Sequence, residues 1–199
     1  MSEKKYEITE TTKMIQREVF GDRYVGHDFR TMDFPAEIEV PVKKWLKNPK
    51  GILIIAGAYG CGKTALGASL VPVIQSDKSR TSRFLKEDVF FNKIKSKFGM
   101  SGPIELVVKD LTDDHFFYYD DLGSHAPKAN EEEGNWRRDM IFSMVDHRYS
   151  LGWPTVITTN LSRSMLKEIY GPRVSSRLES AENTWIELHE AQDVRKIGL

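Results

Sequence analysis

The 199-residue chain has one cysteine, no excess of either charge, and no apolar run longer than Ile52 to Ala58. Each shortage excludes something. Cys61 cannot close a disulfide within the chain, and no Cys/His cluster has the spacing of a zinc site. The opening MSEKKYEITETTK is polar and lacks the apolar stretch of a signal peptide. A membrane helix needs roughly 18 consecutive apolar residues, so a membrane partner is not expected and the cytoplasm is. With 29 Lys+Arg against 29 Asp+Glu, the surface as a whole is no glove for nucleic acid, which leaves room for a local basic patch. Hydrophobic residues at 40% exclude a largely disordered chain. The length suits one compact domain with a short appendage. The expected division is a short leader over residues 1–30 and a core over 31–199.

What is present alternates between strand-like and helix-like stretches. A faintly amphipathic segment from Thr11 to Phe20 places Met14, Ile15, Val19 and Phe20 on one helix face. A second helix follows Pro35, with Val42, Trp45 and Leu46 apolar, and Asn48-Pro49-Lys50-Gly51 ends it. Ile52 to Ala56 reads as a strand buried on both faces. Lys63 to Leu70 reads as a helix stopped near Pro72. Ser82 to Leu85 reads as a short strand before a helix with Phe90, Ile94 and Phe98 at i, i+4, i+8. Phe116 to Tyr119 and Thr155 to Thr158 read as two further buried strands. Between them Trp136 to Tyr149 is helical, with Ile141, Met144, Val145 and Arg148 on one stripe. Ser162 caps a helix closed by Gly171-Pro172, and Trp185 to Leu188 is the last strand. Such alternation gives an α/β fold with a mostly parallel sheet.

Gly57-Ala58-Tyr59-Gly60-Cys61-Gly62-Lys63-Thr64 matches G-x-x-x-x-G-K-[ST], between a buried strand and a helix. Its glycines permit positive φ and close backbone approach, so successive amides can turn toward phosphate oxygens. The helix beginning at Lys63 and running on through Ala65 adds the positive end of its dipole. Lys63 supplies a point charge for β- and γ-phosphates, and the Thr64 hydroxyl a ligand for Mg²⁺. A ligand-free glycine turn is the bland alternative, and the flanking strand and helix speak against it. The order of glycines is not that of a dinucleotide site. Cys61 is expected to face outward as a small tolerated residue.

The hydrophobic strand ending in Asp120-Asp121-Leu-Gly supplies two carboxylates to the same edge. Asp120 is placed on the Mg²⁺ side and Asp121 on an attacking water. By itself such a pair would more often be a solvated turn; the company of the phosphate loop reverses that reading. Asn160, at the end of the third buried strand, could position the same water or could be an ordinary turn residue. Arg177 could reach a neighbouring molecule's nucleotide, where such a residue raises turnover by roughly 10³–10⁵, or could be a surface arginine.

Taken together, GAYGCGKT, FFYYDDLG, HRYSLGWPTVITTNLS and YGPRVSSRL resemble, in order and spacing, the DnaC/IstB-like branch of AAA+ ATPases. The resemblance runs from about Asp22 to near the C-terminus. It implies a P-loop NTPase of the ASCE type with a five-stranded parallel sheet in order 5-1-4-3-2. It further implies Walker A at Lys63 and Thr64, Walker B at Asp120 and Asp121, sensor 1 at Asn160 and an arginine finger at Arg177. Arg195 falls near a sensor 2 position. Little or no helical lid is expected, so inter-subunit contacts would close the nucleotide site. Asp121 is one methylene shorter than the usual catalytic Glu, which implies slow hydrolysis.

A basic segment carries Lys78, Arg80, Arg83, Lys86, Lys93, Lys95 and Lys97 against Asp77, Glu87 and Asp88. Lys78, Arg80, Arg83 and Lys86 are taken as phosphate contacts for single-stranded DNA, while the interspersed phenylalanines are assigned to the core. The expected activity is ATP hydrolysis with Mg²⁺, coupled to assembly into a ring or spiral on single-stranded DNA and to loading of a replicative DNA helicase. The alternatives are an IstB-like transposition helper with a transposase as partner, a nucleotide-gated DNA-binding adaptor with negligible hydrolysis, and, as an outside case, a small-molecule kinase.

Overall fold

The computed structural model of the chain describes residues 8–97, 103–124 and 132–189. Five strands form one parallel sheet: β1 (Ile52–Gly57), β2 (Ser82–Lys86), β3 (Phe116–Leu122), β4 (Thr155–Thr159) and β5 (Thr184–Leu188). Their spatial order is β5-β1-β4-β3-β2, as the resemblance implies. Helices α1 (Glu10–Phe20), α2 (Ala36–Lys47) and α3 (Lys63–Gln75) pack on one face, over Leu53, Ile55, Tyr118, Val156 and Ile186. Helices α4 (Glu87–Lys95), α5 (Ile104–Thr112), α6 (Glu132–Leu151) and α7 (Arg163–Leu178) lie on the other, over Ile52, Ile54, Phe117, Tyr119 and Ile157. Cover on both faces is why β1 reads as a continuous apolar run rather than an alternating one. Burying each of Ile52 to Ile55 completely contributes about 1.5–3 kcal/mol.

Three local expectations change in the folded chain. Helix α3 does not stop at Pro72 but runs through it to Gln75. A proline inside a helix leaves the carbonyl four residues back without its donor. That carbonyl, Ala68 O, is taken by Gln16 Nε2 at 2.9 Å, and Phe29 N donates to the adjacent Ser69 O at 2.9 Å. The same Gln16 donates to His27 O at 2.7 Å and accepts from Gly26 N at 2.9 Å. The inner face of α1 is therefore Thr12, Gln16 and Phe20, while Met14 lies outside. Finally, the helix closed by Gly171-Pro172 continues beyond them, because Gly171 at φ +83 kinks α7 and Pro172 opens its second half. Helix α5, absent from the expected elements, buries Val108 and Leu111.

At the N-terminal end of the strands one residue ties the loops together. Arg148 on α6 is fully buried. Its Nε donates to Thr155 Oγ1, its Nη1 to Thr112 O and Asp114 O, and its Nη2 to His115 O and Pro154 O, at 2.6–3.1 Å. All five N–H donors of the guanidinium are used. Burial lowers its pKa to about 10, so it stays charged at neutral pH.

Candidate nucleotide site

The site lies at the opposite, C-terminal end of the strands, where β1 runs through residues 57–62 into α3. Gly57 admits no side chain, since a Cβ there would overlap Leu188 O and Cys61 Sγ. Gly60 and Gly62 have φ of +82 and +99, the left-handed region open to glycine. Lys63 Nζ donates to Gly57 O at 2.7 Å and to Ala58 O at 2.8 Å, so the ammonium is held by the loop that precedes it. The amides of Cys61 and Leu66 find acceptors at Ala58 O and Gly62 O. Those of Gly60, Gly62, Lys63 and Thr64 have none among the described residues. Orphan amides at a helix N-terminus beside a lysine fit the phosphates of a nucleotide. Cys61 differs from expectation: it is buried under the loop, with Sγ 3.9 Å from Lys63 Nζ. Tyr59 stands out at 80% exposure.

Beside the loop, β3 delivers its carboxylates unequally. Asp120 is 2% exposed; Thr158 Oγ1 donates to its Oδ1 at 2.8 Å and the Tyr118 hydroxyl at 3.3 Å. Burial, reinforced by the charge of Asp121, pushes its pKa up to about 6. Asp121 is exposed at φ +61, and the β3–β4 register shifts between Tyr119 and Leu122. Alternation alone turns the two consecutive acids to opposite sides, and the irregularity marks where β3 leaves its regular pairing with β4. The Tyr118 hydroxyl reaches Asp120 only because α3 carries Gly67 opposite it, where a Cβ would overlap that oxygen. Among the described residues no group of three or more His, Cys, Asp or Glu could hold a metal alone. Thr64 and Asp120 nevertheless fit Mg²⁺, which is commonly bound by one or two carboxylates plus nucleotide phosphates.

Asn160 follows β4 on this edge, half-buried. Arg177 does not join it. Its carbonyl accepts from Asn183 Nδ2, and Asn183 Oδ1 accepts from Ile52 N, at the far end of β1. A six-residue strand puts about 17–20 Å between that end and the loop. The Arg177 guanidinium pairs with Asp146 and lies over Phe142. The basic residues of β2 also part company. Arg83 pairs with Asp114, whereas Lys86, three residues on and so on the other strand face, stands opposite Asp120 in register. Lys78 and Arg80 are exposed in the turn before β2, with Arg80 paired to Asp77. Phe90 and Phe91 are buried; Phe98 and Arg195 lie outside the described residues.

Among solved structures, the DnaC helicase loader superposes with a TM-score of 0.67 and 22% identity, over 83% of this chain and 98% of that one. The replication initiator DnaA bound to AMPPCP and single-stranded DNA gives 0.65 and 17%, over 81% of this chain and 50% of that one. The fold is shared with these DnaC and DnaA structures. DnaI shares this DnaC-like fold at 0.59 and 18%, over 89% of this chain and 93% of that one. The chain spans about half the length of that DnaA structure. No family model and no curated protein matches the sequence. No helix among the described residues is long and apolar enough to cross a membrane.

Sequence reading missed Thr158, Tyr118 and Gly67, the groups that seat Asp120. Gly67 carried a signal, as an isolated glycine inside a helical pattern. Thr158 carried none, because nothing local separates a buried threonine that bonds a carboxylate from one that only fills a strand.

Proposed function

We propose that this chain is a Mg²⁺-dependent ATPase of the DnaC type, which assembles on single-stranded DNA and helps to load a replicative DNA helicase in the cytoplasm. The observation that carries the reading is the meeting, at one sheet edge, of four unclaimed amides, Lys63 and the buried Asp120. Gly57 to Ala65 would wrap the phosphates, and Lys63 would exchange its loop carbonyls for phosphate oxygens. Mg²⁺, held by Thr64 and Asp120, would neutralise phosphate charge. Asp121 would take the proton of the attacking water while Asn160 orients it. The distance of Arg177 from its own loop supports a site shared between copies, each supplying that guanidinium to a neighbour's nucleotide. Lys78, Arg80, Arg83 and Lys86 are the proposed phosphate contacts for DNA; Arg80 and Arg83 would have to leave Asp77 and Asp114 to make them.

The test is ATP turnover with and without single-stranded DNA, across protein concentration, for the native chain and Arg177→Ala. Specific activity should rise with concentration and DNA and collapse in the variant. Turnover independent of all three would refute assembly. Replacing the four basic residues by Ala should weaken DNA binding and flatten its salt dependence by about 0.7 per lost phosphate contact.

A further inference from the structure

The backbone turn that carries Asp121 is held from two sides. From β4, the Asp121 amide donates to Thr158 Oγ1 at 2.8 Å, and Thr159 Oγ1 donates to Leu122 O at 2.7 Å. Leu161 lies so close to Gly123 that a Cβ there would overlap its side chain. From the other side comes Glu87, the first residue of α4 and only 1% exposed. Its Oε2 accepts the Gly123 amide at 2.7 Å in the protein interior. Ser124 N then donates back to Asp121 O at 2.9 Å, closing a turn in which Asp121 and Gly123 hold φ of +61 and +90.

A carboxylate is a costly group to place there. It is 1% exposed with Tyr119 and Tyr170 close by, and removing a charge from water costs several kcal/mol unless strong bonds replace hydration. An aliphatic side chain would fill the same space without that cost. The carboxyl group instead supplies an acceptor to the Gly123 amide, two residues beyond Asp121. That amide belongs to the turn that sets an aspartate at positive φ, a conformation non-glycine residues adopt rarely and only when their surroundings enforce it.

We propose that Glu87 is a positioning residue for hydrolysis: by gripping the Gly123 amide it fixes the backbone of Asp121 and with it the place of the Asp121 carboxylate. The inference rests on the ATPase reading. It assigns Glu87 no contact with nucleotide, so its removal should spare binding and slow the chemical step.

Turnover and nucleotide affinity are measured separately on the full native chain, E87A, E87M and E87Q, with mant-ATP as the binding probe. E87A and E87M both remove the carboxylate, and E87M keeps the length, so one of them suffices if the other does not fold. The expected result is a fall in kcat of tenfold to on the order of 10²-fold, the scale on which small misplacements act, with mant-ATP affinity within twofold. E87Q, whose Oε1 can still accept the Gly123 amide, should restore kcat to within about threefold of native. The Gly123 amide resonance should shift upfield in E87A or E87M and move much less in E87Q. Unchanged kcat in E87A or E87M overturns the proposal and leaves the ATPase reading standing. Parallel loss of affinity and kcat, unrestored by E87Q, makes Glu87 a residue of the fold only. Absence of ATP hydrolysis in the native chain defeats the ATPase reading itself, and the proposal with it.

Discussion

The two ends of the same sheet are built on opposite terms. At the N-terminal end Arg148 uses all five of its donors, and Asn183 joins Ile52 N to the carbonyls of Arg177 and Leu178. At the C-terminal end four amides of the glycine loop have no acceptor among the described residues, Asp120 holds its proton to about pH 6, and Asp121 is set at positive φ. Both ends bury a charged group. One is matched donor for acceptor and stabilises; the other is left short, and shortage is what a ligand can fill. Saturated polar groups mark scaffold, and unsaturated ones at a strand's C-terminal end mark a site.

This contrast can be broken most forcefully at Arg148. Arg148→Ala strands five acceptors, four of them backbone carbonyls, and should cost about 3–5 kcal/mol in urea unfolding. Nucleotide affinity of the folded fraction should be unchanged. At the other end, Lys63→Ala should lower ATP turnover on the order of 10²–10³-fold, while unfolding free energy moves by less than about 1 kcal/mol. An equal effect on stability would erase the distinction between the two ends.

Asp120→Asn sharpens the comparison by its sign. The folded-state pKa of about 6 lies above the ordinary value of 3.8, so folding takes up a proton between those limits. The destabilisation is full above about pH 6 and fades as pH falls toward 4. Asp120→Asn should therefore stabilise the nucleotide-free protein by about 1–3 kcal/mol at pH 7.5, and the gain should shrink on acidification to pH 4.5. Activity should be lost in the same variant. A lower melting temperature at pH 7.5 would contradict the buried-charge account. The smallest expected effect is Gly67→Ala. In an ordinary helix interior it would stabilise by about 1 kcal/mol, but here it must displace the Tyr118 hydroxyl from Asp120 and should destabilise by about that amount. Thermal unfolding reads the sign directly.

Much of this molecule was legible along the chain because its signals are local. The run Ile52 to Ala56, the loop of glycines before Lys63 and the aromatic strand ending in Asp120-Asp121 each carry period and punctuation within a few residues. Arg148 could be placed on the inner stripe of its helix by spacing, but not its five acceptors, which come from segments up to 36 residues away. Pro72 is illegible for the same reason: a proline ends a helix unless something else takes the carbonyl it releases, and Gln16 lies 52 residues from that carbonyl. Lys86 and Arg83 share a strand and a charge, but alternation puts them on opposite faces and register sets Lys86 against Asp120.

The sequence by itself determined the class of fold, the order of its strands through the resemblance, and the phosphate-loop chemistry, because glycine spacing and apolar runs act through backbone geometry and local burial. Only the tertiary structure decided which acid is buried and which exposed. It also decided where the Asp120 proton goes, which end of the sheet is saturated, and that Arg177 stands a strand's length from its own loop. Those properties come from desolvation and hydrogen bonds between segments far apart in the chain, and such partners exist only once the chain has folded.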